Sequence, residues 1–195
     1  MSVYIKRKYS YCLFFFSYII CAQNNFYIGL GHISTFAETA LVSNESILYQ
    51  PRNLSNFSLH YGNSFFINKN FKLNTEIFYL NNNLILATNE TKRFELHQNI
   101  GFSLKPGFFF NKHGFHVGLG LLAVYVFDKD VVFGNQLDRF DDAYFYGLEY
   151  NYMLSENLVL NLGYLYAKFE SISHYTDYKL NSFSVFSVVL NYQID

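Results

Sequence analysis

With 195 residues, of which 51% are hydrophobic and 21% aromatic, the chain is one domain by length and too aromatic for a disordered one. Its 14 basic and 15 acidic residues leave a formal charge of −1, which excludes the basic surface that nucleic acid requires of a partner. Beyond the first two dozen residues no run of about 18 uncharged apolar residues occurs, so helices that cross a membrane are excluded, although alternating strands escape that test.

Residues 1–22 read as a secretory leader: Lys6, Arg7 and Lys8 form a positive start, Tyr9 to Ile20 an apolar core, and Ala22 a small residue before Gln23. The core is about half the length of a membrane-spanning helix, which favours a leader over an anchor. Cys21 lacks the leucine and small residues that precede a lipidated cysteine, since Ile19 and Ile20 stand there. Cleavage after Ala22 removes Cys12 and Cys21 together with three basic residues, leaving 23–195 as one domain without disulfides and with a net charge of −4 (11 basic, 15 acidic).

Eight strands are expected, over about 24–34, 55–67, 71–80, 94–110, 115–127, 143–153, 157–169 and 182–194. The connections alternate between tight turns at Asn68 to Asn70, Asn111 to Gly114 and Ser155 to Asn157, and longer loops at 35–54, 81–93, 128–142 and 170–181. Short turns on one side, long loops on the other and an even strand number are the pattern of a transmembrane barrel with both termini in the periplasm. The fold class expected is all-β, an eight-stranded antiparallel up-and-down barrel.

The central hairpin, Phe94 to Phe127, shows the reasoning. Phe94, Leu96, Ile100, Phe102 and Leu104 share one face, Glu95, His97, Asn99, Gly101, Ser103 and Lys105 the other. Setting Phe110 opposite Phe115 brings this apolar face beside that of Phe115, Val117, Leu119, Leu121, Ala123, Tyr125 and Phe127. The apolar face is the larger one and the opposite face is small and polar, the inverse of a water-soluble sandwich. With apolar faces outward, Gly29, Gly31, Gly62, Gly101, Gly118, Gly120, Gly147 and Gly163 all turn inward, as a narrow lumen favours. Tyr and Phe crowd the strand ends, where aromatic girdles belong, and Pro106 is read as a bulge or kink beside a turn.

In this architecture, in the segment LKPGFFFN from Leu104 to Asn111 and in the closing strand SVFSVVLNYQID, the chain resembles the small eight-stranded outer-membrane barrels of the OmpA/OmpX type. The resemblance implies a bacterial outer-membrane location. It also implies a terminal aromatic read by the assembly machinery, from which this chain departs by ending on Tyr192, Ile194 and Asp195.

Five charged residues take inward phase: Lys72, Glu76, Glu95, Lys105 and Glu149, with His60, His97, His116, Asn74, Asn99, Asn151 and Asn161 nearby. They are read as a hydrogen-bonded polar network that closes the lumen, because buried charge is tolerated when paired. The alternative is a narrow porin-like channel in which Glu76 or Glu149 exchanges a lysine partner. A further alternative rests on resemblance to lipid A deacylases, which pair a histidine base with a serine two residues on; His174-Tyr175-Thr176 stands in that spacing with threonine for serine, and His32-Ile33-Ser34 shares it. No zinc spacing or phosphate loop occurs, so neither metal nor cofactor is expected. The function expected is structural or interactive, with loops displayed outside the cell. The partners expected are outer-membrane lipid, lipopolysaccharide and an extracellular ligand, with the barrel a monomer. The acidic third loop, DKDVVFGNQLDRFDD, suits divalent ions bridging lipopolysaccharide.

Overall fold

The computed structural model describes residues 24–41, 46–51, 56–87, 92–129, 136–169 and 178–194, and every regular element among them is a strand. In chain order these are β1 (Asn24–Leu41), β2 (Ser46–Pro51), β3 (Phe57–Phe66), β4 (Phe71–Ala87), β5 (Lys92–Phe110), β6 (His113–Lys129), β7 (Gln136–Met153), β8 (Leu158–Phe169) and β9 (Tyr178–Ile194). Neighbours are antiparallel, and β9 returns to β1 from Phe26↔Ile194 to Leu41↔Tyr178, so the sheet closes on itself.

Eight staves are built from nine strands. β3 pairs with β1 from Asn24↔Phe65 to His32↔Phe57, and β2 takes the same position farther along, from Ala37↔Tyr49 to Ala40↔Ser46. β4 receives both, β3 up to Phe57↔Asn81 and β2 at Pro51↔Leu84 to Tyr49↔Leu86. β2 falls inside the expected loop 35–54, where Pro51 signals a strand breaker; it occupies the last residue of the strand, a position where its missing N–H costs least. The other long loops also shrink, because β4 continues to Ala87, β7 starts at Gln136 and β9 at Tyr178. Beyond the hydrocarbon a strand needs its ladder of hydrogen bonds but no apolar outer face, so these extensions carry no alternation for sequence reading to detect.

At the end that holds both termini the turns are short. Asn68 Oδ1 accepts from the backbone N–H of Asn70 and Phe71, each at 2.9 Å, and Leu154 N–H donates to Leu158 O at 2.8 Å. The β5–β6 turn is tighter than expected, only Asn111 and Lys112, with Phe110 opposite His113 and Phe108 opposite Phe115. Asn111 takes φ 53°, which a short polar side chain tolerates. The expected pairing of Phe110 with Phe115 is thus two residues out. A slip of two preserves every face, so alternation cannot detect it.

Pro106 makes no bulge. The register is the same on either side of it, Leu104↔Leu119 and Gly107↔His116, and the proline stays paired with Leu73 on β4. The register shift lies instead between β1 and β9, where Glu38↔Ser182 is followed by Thr39↔Leu180 and Asn181 becomes the extra residue.

The faces divide as a membrane barrel requires. Leu30, Phe110, Phe115 and Leu148 are 62–64% exposed on the outside, whereas Leu122 and Val124 inside are 0–1% exposed. Gly101 is inward because a Cβ there would collide with the Phe78 ring, and Gly62 because one would meet Tyr27.

Candidate functional site

The lumen is filled by side chains in successive layers. Nearest the chain termini, the Lys72 ammonium lies 4.2 Å from the Phe66 ring centre and 4.4 Å from that of Phe109. Above it comes a layer of asparagines, Asn74, Asn151, Asn161 and Asn191, all buried with Ser64. They surround a pocket of about 20 Å³.

A charge layer follows. Lys105 Nζ donates to Glu76 Oε1 at 2.7 Å and to Glu149 Oε2 at 2.7 Å, so one cation joins carboxylates from β4 and β7. It reaches β7 from β5 because the intervening strand carries Gly118, whose missing side chain leaves room beside the lysine stem. Glu76 also meets His60 Nδ1 at 3.2 Å and accepts from the Tyr27 hydroxyl at 3.0 Å. His116 Nδ1 stands 3.9 Å from Glu149 Oε1, and its Nε2 is 3.3 Å from Asn74 Nδ2. A cavity of about 50 Å³ adjoins this layer, bounded on its far side by Phe78, Leu80 and Phe145. Tyr27→Phe is expected to lower stability by about 1 kcal/mol, the net worth of one buried hydrogen bond, with Glu76 keeping its other partners. Urea titration of the refolded barrel, followed by the gel mobility that separates folded from unfolded chains, reads that change.

Above the charges the interior turns apolar. Ile33, Phe78, Leu80, Leu122, Val124, Ala143, Phe145, Ala167, Phe183 and Val185 form one buried cluster, in which Phe78 meets Phe145 edge-on at 5.4 Å. Beyond it Thr35 donates to Asn82 Oδ1 at 2.7 Å, and His97 and Asn99 are buried. The expected polar network therefore occupies only part of the lumen: a polar half and an apolar half share it, because a narrow barrel can be packed like a protein core.

Of the residues singled out from sequence, Lys105 gathers Glu76 and Glu149, while Lys72 stands apart between its two rings. Glu95 lies on β5 opposite Leu84 and Asp128, with its side chain outside the described set. His32 faces outward, and His174-Tyr175-Thr176 lies outside the described residues, as do residues 1–23. Tyr27 was missed, although it shares the inward phase of Gly29 and Gly31. Among the described residues no group of three potential metal ligands converges, and no helix is long and apolar enough to cross a membrane.

No family model and no curated protein matches the sequence. Solved structures do match. Neisserial surface protein A superposes with a TM-score of 0.62 at 15% identity, covering 87% of this chain and 97% of that one. Ail, the attachment invasion locus protein of Yersinia pestis, superposes with a TM-score of 0.56 at 14% identity, covering 88% of this chain and 99% of that one, in a complex with the heparin analogue sucrose octasulfate. This chain has the fold of the small outer-membrane barrels. At such identities the likeness carries the fold alone. The exposed apolar belt adds the physical reason that the fold fits an outer-membrane location: only hydrocarbon makes such a surface favourable, and only a closed barrel satisfies strand backbones there.

Proposed function

We propose that the protein is a surface-display barrel: after loss of the leader 1–22, the domain 23–195 fixes its outer segments above the membrane, where they contact lipopolysaccharide or an extracellular ligand. The observation that carries this reading is the apolar cluster across the lumen. Between the ion-paired layer and Asn82 the described lumen side chains are chiefly apolar, with Ser58 and Asn99 beside Leu80, and an ion entering there would shed its hydration against Phe78, Leu122, Phe145 and Val185. Lys72, Glu76, Glu95, Lys105 and Glu149 then serve to lock the interior rather than to conduct.

What remains free to act is the end opposite the termini, where strands run on past the belt and residues 42–45, 88–91, 130–135 and 170–177 connect them. The third of these segments lies within an acidic stretch, Asp128 to Asp142, which favours cation-bridged phosphate or a basic ligand over a polyanion.

Two measurements test the reading. The purified barrel is expected to be silent in planar bilayers, and steps of ionic current that change with Glu149→Gln would replace display by a narrow channel. Vesicles carrying the barrel are expected to bind lipopolysaccharide or host surfaces less well once 130–135 and 170–177 are exchanged for Gly/Ser, and binding indifferent to that exchange would overturn loop display.

A further inference from the structure

Along the outer face of β1 the lipid-facing positions run Phe26, Ile28, Leu30, His32, Ser34 and Phe36. Leu30 is 62% and Phe36 50% exposed, so the polar pair between them stands inside the apolar belt rather than at its rim. In a strand that rises ~3.3 Å per residue at a tilt of ~40°, Ser34 lies ~5 Å and His32 ~10 Å beneath Phe36, in the half of the belt away from the termini. His32 is exposed and Ser34 half-buried, and among the described residues neither side chain has a hydrogen-bond partner. Hydrocarbon offers a hydroxyl or an imidazole nothing to bond with, so the pair is costly unless a ligand brings a polar atom to that depth.

A groove of about 580 Å³ opens beside the pair on the same surface. It follows one row of ladder partners: Ser34 faces Phe186 on β9, Phe186 faces Tyr164 on β8, Tyr164 faces Leu148 on β7, and Leu148 faces Val117 on β6. Five strands ~4.8 Å apart make the row ~19 Å long, against the ~15 Å that one leaflet contributes to the hydrocarbon core. The floor includes Gly163 and Ser187, which have the lumen phase, so the groove meets ladder-bonded backbone there and no side chain blocks it. Ser34 stands in the middle of β1 and Val117 near the start of β6, so the row descends toward the end that holds the termini. A polar upper end and an apolar lower end match the direction of an outer-leaflet lipid.

We propose that this groove binds one acyl chain of lipopolysaccharide, with His32 and Ser34 holding an oxygen carried on that chain. The depth of the pair selects the lipid. A phospholipid has its ester oxygens at the head of its chains, at the edge of the hydrocarbon and above the pair. Lipopolysaccharide also carries hydroxyl and secondary ester oxygens several bonds down its chains, where His32 and Ser34 stand. The Ser34 hydroxyl and an imidazole N–H donate to such an oxygen, and the second imidazole nitrogen accepts from a chain hydroxyl. The contact goes beyond surface display, because it lies in the belt and not in the outer segments.

Native mass spectrometry of the full barrel, extracted in mild detergent from vesicles of lipopolysaccharide and phosphatidylethanolamine, tests the site. The wild type is expected to retain one lipopolysaccharide. The double variant His32→Leu, Ser34→Ala, which makes the row uniformly apolar, should lower that occupancy about tenfold, as the loss of one or two hydrogen bonds does, and leave phospholipid adducts unchanged. Val188→Trp keeps the polar pair but fills the groove next to it, and should lower the occupancy as well. Exchange of 130–135 and 170–177 for Gly/Ser removes headgroup contacts of the display reading and should leave the adduct in place. An adduct that survives both groove variants overturns the proposal, and if it disappears with the exchanged segments the display reading stands without the groove. Retention of phosphatidylethanolamine in place of lipopolysaccharide by the wild type also overturns it.

Discussion

Lys105→Met is expected to cost about 3–5 kcal/mol of barrel stability, because the substitution leaves two buried carboxylates facing one another without their shared cation. The geometry makes Lys105 the central member: it contacts both Glu76 and Glu149, each at 2.7 Å, and Glu76 has almost no solvent to turn to at 2% side-chain exposure. Methionine fills the stem volume beside Gly118 and removes only the charge and its donors. The triple variant Glu76→Gln, Lys105→Met, Glu149→Gln should recover most of the loss, since removing a whole buried ionic group is commonly neutral where removing one partner is not. Urea titrations of the wild type, Lys105→Met and the triple variant in the same vesicles give the comparison. A single variant as stable as the wild type would mean that water or a histidine charge already satisfies the carboxylates. Recovery in the triple variant would assign the loss to unpaired charge rather than to packing.

Membrane-depth alternation made much of the fold legible. It places Phe26, Ile28 and Leu30 outside and Gly29, Gly31 and Tyr27 inside without any structure, because a buried and a lipid-facing side must alternate along one strand. The same rule fixes which charges turn inward. It does not fix which meet: Lys105 finds Glu149 across β6, two strands away, by a register that side-chain phase leaves free in steps of two. The hairpin at Asn111 shows that freedom directly. β2 and the upper halves of β4, β7 and β9 were not legible for a different reason. Past the hydrocarbon the outer face no longer has to be apolar, so Asn81 to Asn83 or Asp138 to Asp142 read as loop although the backbone ladder continues through them. The apolar half of the lumen escaped notice because glycine and charge mark an inward face more visibly than Phe78, Leu122 or Val185. Their phase already turns them inward, next to the outward Ile77, Leu121 and Phe186, but which of them meet to form one layer depends on register.

Phe78→Ala should produce the second large effect and bears on function as well as stability. Phe78 is 4% exposed, stacks on His60 at 5.9 Å, meets Phe145 at 5.4 Å and covers the position where Gly101 lacks a side chain. Truncation of such a ring typically costs about 3–5 kcal/mol, the lost transfer energy plus a cavity the sheet cannot collapse around. A barrel wall held by continuous ladders on both sides of β4 has little freedom to relax inward, so the upper part of that range is expected. Phe78 and Phe145 are in contact, so the double variant Phe78→Ala, Phe145→Ala should lose less than the sum of the two single losses. The double variant also joins the 50 Å³ cavity at Lys105 to the space that both rings occupied, which shortens the dry segment beneath Asn82 and His97. Ionic current should then appear where the wild type gives none, and it should be larger when Glu149→Gln is added. A double variant that is destabilised yet silent would place the barrier in Leu122, Val124 and Val185 instead. Current already present in the wild type would remove the apolar layer as a seal altogether, and the display reading with it.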